Sequence, residues 1–267
     1  MIAQVLGYSR VAYYKQRKDA AVRTAGDVYL RAMVCQERKV LPKVGVRKLQ
    51  ILLRNRGVHC GRDRLFDVLR RSGLLIRPRK RYIQTTFSRH WMRKYPNLVR
   101  DMCVRRPEEL WVSDITYLKT HEGYCYLSLV TDAFSRKIIG YTVADSLDAD
   151  HSRHALEMAL RTRVAADQEL THHSDRGLQY CSKEYVQLAE KHNVRMSMTE
   201  NGDPYENALA ERMNRTIKEE FCLDSQLPSR ALARQAVHEA VILYNTYRPH
   251  LALGGQTPEA VHTNKTR

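Results

Sequence analysis

The chain has 267 residues, 43% hydrophobic and 28% charged, a globular composition with room for one large domain or two ordinary ones. No stretch approaches the ~18 consecutive apolar residues of a membrane-spanning helix, and the start, MIAQVLGYSRVAYYKQRK, lacks the apolar core of a secretory signal. The formal net charge of +16 is unevenly placed: residues 1–100 hold 25 Lys and Arg against five acids, and the remainder is slightly acidic. A basic half of this size implies a polyanionic partner, and nucleic acid fits better than a membrane because no strongly apolar helix face accompanies the charge.

In chain order, the first element follows Gly7, where Ser9 is placed to cap a helix through Val11, Ala12 and Tyr14. It reads as the turn and second helix of a helix-turn-helix. A clearer unit follows at 45–57, where Val46, Leu49, Leu52 and Leu53 form a helical stripe that stops at Gly57. After the connector VHCG, residues 62–73 repeat the pattern with Leu65, Phe66, Val68 and Leu69 and stop at Gly73. Two short helices so joined fit a helix-turn-helix, with Arg62 and Arg64 at the start of the helix that would face bases. A plain helical hairpin with a solvated basic face is the competing reading. Arg70, Arg77, Arg79, Lys80 and Arg81 extend the basic surface into RPRKRY, which opens an extended linker.

From about residue 108 the texture changes. Residues 110–120, 124–134 and 137–146 read as three strands with hairpin turns. A helix at 148–163, a short strand at 169–175, a helix at 183–193, a strand at 194–199 and helices at 206–221 and 231–247 follow. The order predicts an α/β, RNase H-like core: a mixed five-stranded sheet with helices. It is preceded by a basic all-α helix-turn-helix region. The expected division is a helix-turn-helix region at 1–76, a basic linker at 77–104 and the RNase H-like core at 105–267.

Three acids stand out within the core. Asp114 lies mid-strand, where an ionised carboxylate is costly unless it is paired or bound to a cation. Asp175 ends the fourth strand in HSDRG, and Glu211 shares a helical polar stripe with Asn207, Asn214 and Lys218. Leu209, Met213, Ile217 and Phe221 form the apolar stripe of that helix. Three carboxylates from separate elements make a hard-oxygen site suited to Mg²⁺, and two such ions clamp a scissile phosphate. Each acid has a plain alternative as a hydrogen-bonded core residue, a turn cap or a solvated helix charge. Asp132 fits a hairpin end better than a ligand. Arg248 and His250, in YNTYRPHLALGGQTP, read equally as DNA contacts or as parts of a structured turn. Six cysteines scattered singly, with no CxxC pair, read as reduced cytosolic thiols and offer His172 and His173 no zinc partner.

WVSDITY, HSDRGLQY, NGDPYENALAERMNRTIKEE and YNTYRPHLALGGQTP together resemble the OrfB-type DDE transposases of bacterial insertion sequences, whose catalytic core is similar to retroviral integrase. The resemblance covers nearly the whole chain. It implies a DNA transposase, a polynucleotidyl transferase whose metal-binding and catalytic triad is Asp114, Asp175 and Glu211. It further implies that Lys218 contacts DNA, that two Mg²⁺ ions serve as cofactors with Mn²⁺ as a substitute, and that DNA is the partner as terminal inverted repeats and target. The family's pattern also implies a homo-oligomer in a synaptic complex and a fusion, made by frameshifting, with the product of an upstream frame. The expected place of action is the bacterial cytoplasm, at the nucleoid, with no membrane. A catalytically silent DNA-binding regulator and a structure-specific nuclease are the alternatives.

Overall fold

The computed structural model describes residues 9–76, 94–200 and 204–264. It divides into two compact units, residues 1–78 and 79–267. Among the described residues, no helix is long and apolar enough to cross a membrane.

The first unit contains α1 (Arg10–Val40), α2 (Val46–Asn55) and α3 (Arg62–Arg71). Ser9 caps α1 as its sequence context predicts, its Oγ accepting from the Ala12 amide at 3.1 Å. The helix then runs for 31 residues instead of forming a short member of a helix-turn-helix. No proline interrupts 10–40, and the many Ala, Arg, Lys, Gln and Glu residues are good helix formers. Its C-terminal part supplies Leu30 and Val34 to a core with Leu41, Val44, Leu49, Leu52, Leu53, Leu65, Val68 and Leu69, while residues 10–25 are exposed. Glu37 is fully buried there, and Arg56 at the end of α2 neutralises it at 2.5 Å. The helical pair is as predicted, and glycines end it: Gly57 and Gly73 adopt φ of 77° and 66°, the left-handed region that lets a chain leave a helix.

The second unit is built on a five-stranded sheet in the order β3-β2-β1-β4-β5. Strands β1 (Leu110–Thr120), β2 (Gly123–Asp132) and β3 (Ile138–Ala144) are antiparallel, while β4 (Leu170–Ser174) and β5 (Val194–Met198) run parallel to β1. Parallel neighbours need crossovers, which α4 (Ala149–Thr162) and α5 (Lys183–Lys191) provide. Alternation along the strands makes two cores. One joins Trp111, Val130 and Ile139 to Leu156 of α4 and Tyr185 of α5. The other joins Leu118, Leu127, Leu129 and Ile138 to α6 (Ala208–Glu220) and α7 (Arg230–Thr246) through Met213, Ile217, Val237 and Tyr244. Leu110 and Val112 meet Ala210 of α6, so the even-numbered residues of β1 face α6. Gly140 of β3 sits under α4 so closely that a Cβ there would lie 2.1 Å from the Ala155 carbonyl oxygen.

Asp132 ends the β2–β3 hairpin, fully buried, and accepts from the amides of Glu108 and Ser135 and from the Ser135 hydroxyl at 2.6–2.7 Å. It is a turn anchor, as its position in the sequence indicates. Arg248 is 3% exposed, forms a two-point ion pair with Glu220 at 2.8 Å, and lies over the Tyr244 ring. Of the two readings open for Arg248, the structure realises the structured turn that follows α7. The short α8 (Pro258–Thr263) closes the chain, its His262 meeting the Ser135 hydroxyl at 2.9 Å.

Candidate active site

The β1–β4 register carries the main consequence. Parallel pairing ends with Ser113 opposite Ser174, so Asp114 and Asp175 are the next residues in step on adjacent strands. Asp114 faces α6: its Oδ2 accepts from the Asn214 side-chain amide at 2.9 Å and its Oδ1 from the Ile115 amide at 2.8 Å. Asp175 lies in the turn after β4, where its Oδ1 accepts from the Gly177 amide at 3.0 Å. A Cβ on Gly177 would sit 3.0 Å from that same oxygen, so the glycine keeps the carboxylate from being pushed aside. Glu211 stands exposed in the first turn of α6.

The three acids act on one another electrostatically. Burial, then the charge of Asp175, push Asp114 up to about 7, with Glu211 adding to the effect and the hydrogen bonds from Asn214 and Ile115 opposing it. Burial and then Asp175 also raise Glu211, against the pull of Arg215. Like charges gathered in a half-buried place favour a proton or a cation. Among the described residues, no three Asp, Glu, His or Cys side chains are gathered closely enough to grip one ion: the carboxylates feel one another without converging on a point.

Two clamps fix the segment that begins α6. The Asn207 side-chain amide donates to the Ser113 carbonyl at 3.0 Å, and His173 Nε2 meets the Glu206 carbonyl at 3.0 Å. A carbonyl only accepts, so Nε2 carries the proton and Nδ1 accepts from the Ser197 hydroxyl at 2.8 Å. Burial lowers the pKa of His173, which keeps it in this neutral form. Beneath it, His172 Nε2 is shared by the hydroxyls of Ser113 and Tyr185 at 2.8 and 3.0 Å.

Lys218 lies on the same stripe, two turns beyond Glu211. Its ammonium donates to the Tyr117 carbonyl at 2.9 Å and Thr116 Oγ1 at 3.2 Å, and stands 4.6 Å from the centre of the Tyr117 ring. Burial lowers its pKa. All four polar members of the stripe thus fall beside the strand that carries Asp114, and three of them bond to it.

Known proteins bear on this geometry. The family described as "Integrase core domain" matches residues 104–204, and a second family of the same description matches 192–258. A 31 kDa protein of insertion element IS600 from Shigella sonnei is 32% identical over 263 residues, covering 97% of this chain and 96% of that one. The transposase InsF of insertion sequence IS3A from Escherichia coli is 35% identical over 193 residues, covering 72% of this chain and 67% of its own. The chain belongs to the bacterial insertion-sequence DDE transposases. They are polynucleotidyl transferases built on an integrase core. In fold, the chain is similar to the simian T-cell lymphotropic virus intasome in complex with a PP2A regulatory subunit, with a TM-score of 0.50 at 18% identity over 80% of this chain and 70% of that one.

The transposase's predicted DNA-contacting arginines are placed in part. Arg62 opens α3 and pairs with its neighbour Asp63 at 2.8 Å, and Arg70 pairs with Asp67 at 2.7 Å. Arg64 and Arg71 converge on Asp27 of α1 at 3.2 and 2.8 Å. Gly26 makes room for this, since a Cβ there would lie 2.7 Å from the Arg64 guanidinium. Arg64 therefore also ties α3 to α1, a role its position in the sequence did not suggest. Arg77, Arg79, Lys80 and Arg81 lie outside the described residues.

Sequence reasoning gave Asn214 a place on the stripe but no task, and it passed over Ser113, Tyr117 and Tyr185. An asparagine on the inner stripe of a helix, three residues after Glu211, needs a polar partner, and that signal was available for Asn214. The partners of Ser113 and Tyr185 depend on contacts across the sheet, which no local pattern encodes.

Proposed function

We propose that this transposase cleaves one strand at the end of its insertion element and joins the freed 3′-hydroxyl to another phosphodiester, with Asp114, Asp175 and Glu211 as its catalytic triad. The observation that carries the reading is the coupling of three carboxylates from three separate elements, which lifts Asp114 to about 7. The donor set is all hard oxygen and carries surplus negative charge, which fits two Mg²⁺ ions, or Mn²⁺ in their place. When bound, these ions supply activation of the attacking oxygen and neutralisation of the charge on the scissile phosphate.

The chain's own residues do the rest. Asn214 and the Ile115 amide hold the Asp114 carboxylate in one orientation. Asn207 and His173 fix the start of α6, and so the position of Glu211, against the sheet. Lys218, at the edge of β1, offers a positive charge to the incoming phosphodiester. The basic first unit holds the element end through its phosphates, with Arg62 free enough at the start of α3 to reach a base edge. Cutting and joining two ends together calls for a homo-oligomer of the chain on DNA.

The test is a cleavage and joining assay on element-end DNA with Mg²⁺. Asp114→Asn, Asp175→Asn and Glu211→Gln are each expected to abolish both steps while gel-shift affinity stays within a few-fold of the parent. Near-parental turnover in any one of them removes that residue from the triad.

A further inference from the structure

Beyond the parallel strands, β1 runs on with β2, and Leu227 bridges its far end at Thr120. Its pairing to β4 ends at Ser113, whereas its pairing to β2 continues to Thr120. This extension carries two large aromatic rings into solvent. Tyr117 is 42% exposed and Tyr124 is 49% exposed, and their rings meet edge to face with centroids 5.5 Å apart. The register explains the meeting: Tyr117 is opposite Tyr126 and Lys119 is opposite Tyr124, so Tyr117, Lys119, Tyr124 and Tyr126 share one face of the hairpin. Exposing two such rings side by side wastes apolar surface that a core would bury.

Two cations stand beside the rings. Lys119 is exposed on the same face, and the Lys218 ammonium reaches Tyr117 from α6. Lys218 also bonds Thr116, two residues from Asp114 on the α6 side of the strand. Tyr117 lies on the face of β1 opposite Asp114, and Lys218 joins the two sides at the strand's edge by bonding Thr116 and the Tyr117 carbonyl together. At ~3.3 Å per residue, Tyr117 lies roughly 10 Å along the strand from Asp114, or about three stacked base steps at roughly 3.4 Å each. A cation beside flat, open aromatic faces matches a nucleobase that is out of its duplex, with its phosphate nearby.

We propose that Tyr117 and Tyr124 form a stacking ledge for an unpaired nucleobase of the DNA strand within about three nucleotides of the scissile phosphate. The proposal rests on the assignment of Asp114, Asp175 and Glu211 as the place of reaction. The ledge holds the strand end frayed, which presents the scissile phosphodiester to the carboxylates without the complementary strand across it. The ring face is the functional part, and the phenol hydroxyl is not needed.

The test uses the full-length chain and element-end duplexes carrying 2-aminopurine at one of the first three positions from the cleavage point. Stacking on a tyrosine ring quenches the fluorescence of this base. Tyr117→Leu with Tyr124→Leu should abolish the quench and slow joining by roughly 5- to 100-fold, the effect of losing one base–aromatic stack. Tyr117→Phe should retain both, and Tyr117→Trp should retain or deepen the quench. A duplex whose end is already mismatched should recover part of the lost rate. Parental quench and parental joining in the double leucine variant would overturn the ledge. So would equal losses in the phenylalanine and leucine variants, which would assign the effect to the hydroxyl. A retained quench with a changed oligomeric state would give this face to a second copy of the chain and likewise overturn the proposal. The Asp114→Asn protein serves as the separating control. If it binds with a full quench but cannot cleave, the site assignment stands whatever the tyrosine variants do; if it cleaves normally, that assignment fails by itself.

Discussion

Asp114→Asn should make the protein inactive and, at neutral and alkaline pH, more stable. In the unfolded chain this carboxyl ionises near its ordinary 3.8, and in the fold near 7. Between those values the unfolded state binds fewer protons than the folded one, so stability falls as pH rises through the window. The contribution is fully present below 3.8 and lost above 7. At about 1.4 kcal/mol per unit, the folded protein gives up about 4 kcal/mol at pH 8 and a little under 2 kcal/mol at pH 5. Asparagine removes the titration. Its amide oxygen can accept from Ile115, and Asn214, whose Oδ1 has no hydrogen-bond partner, can turn its amide to accept from the new NH₂. Imperfect geometry in that exchange costs about 1 kcal/mol. The net gain is about 3 kcal/mol at pH 8, roughly 6–12 °C in Tm for a domain of this size, and under 1 kcal/mol at pH 5. The assay is thermal unfolding of both proteins in a chelating buffer at the two pH values, followed by titration with Mg²⁺, which should raise the Tm of the parent more than that of the variant. A variant no more stable than the parent at pH 8 would refute the claim that burial and like-charge repulsion act on Asp114.

Three further outcomes are expected. Asn214→Leu removes the side-chain hydrogen bond that lowers the Asp114 pKa, so the acid limb of the cleavage pH–rate profile should move to higher pH; an unmoved limb would mean that Asn214 acts only in packing. Gly140→Ala drives a Cβ into the Ala155 carbonyl at 2.1 Å and should destabilise the catalytic unit by about 3 kcal/mol or more, read as a fall in Tm with the α4-proximal amides exchanging faster. In the first unit, Arg62→Ala should weaken discrimination between element ends and random DNA by about 1–3 kcal/mol without changing Tm. Arg64→Ala should lower the Tm of that unit as well, because it releases half of the Asp27 anchor; equal thermal behaviour of the two variants would remove the structural role given to Arg64.

The strands and helices of the catalytic unit were legible because their residues carry local signals of composition and spacing. Residues 110–120 are rich in β-branched and aromatic residues, and Met213 and Ile217 recur at helical spacing, so β1 and α6 follow from local sequence alone. The three candidate acids stood out in the sequence, since mid-strand Asp114 and Asp175 at a strand's end are costly places for a carboxylate that has no partner. What binds them into a site did not. That Asp114 and Asp175 fall in step depends on a parallel register that pairs Leu110 with Thr171 and Ser113 with Ser174, residues far apart in the chain. The full length of α1 was missed for a different reason. Its first 16 residues are exposed, so they carry no core-facing period, and only the absence of proline and the propensity of the residues speak for a helix there.

The same geometry sets stability against activity in this core. A sheet that places Asp114 on β1 in step with Asp175 just after β4, with Glu211 close enough to raise Asp114, gathers like charge where burial already disfavours it. The fold tolerates the arrangement because neutral donors surround it. Asn214 bonds one carboxylate, Asn207 and a neutral His173 donate to backbone carbonyls, and Lys218 bonds Thr116 and Tyr117 at the strand edge. Lys218 feels the Asp114 charge from the strand edge but makes no direct ion pair with it among the described residues, so the pKa values of Asp114 and Glu211 stay raised. Were an arginine to replace Asn214, a direct ion pair would lower Asp114 toward the ordinary carboxylate range and stabilise the fold, but it would occupy the place proposed for the Mg²⁺ ions. The neutrality of the donors around Asp114 is therefore as much a part of the site as the acids themselves.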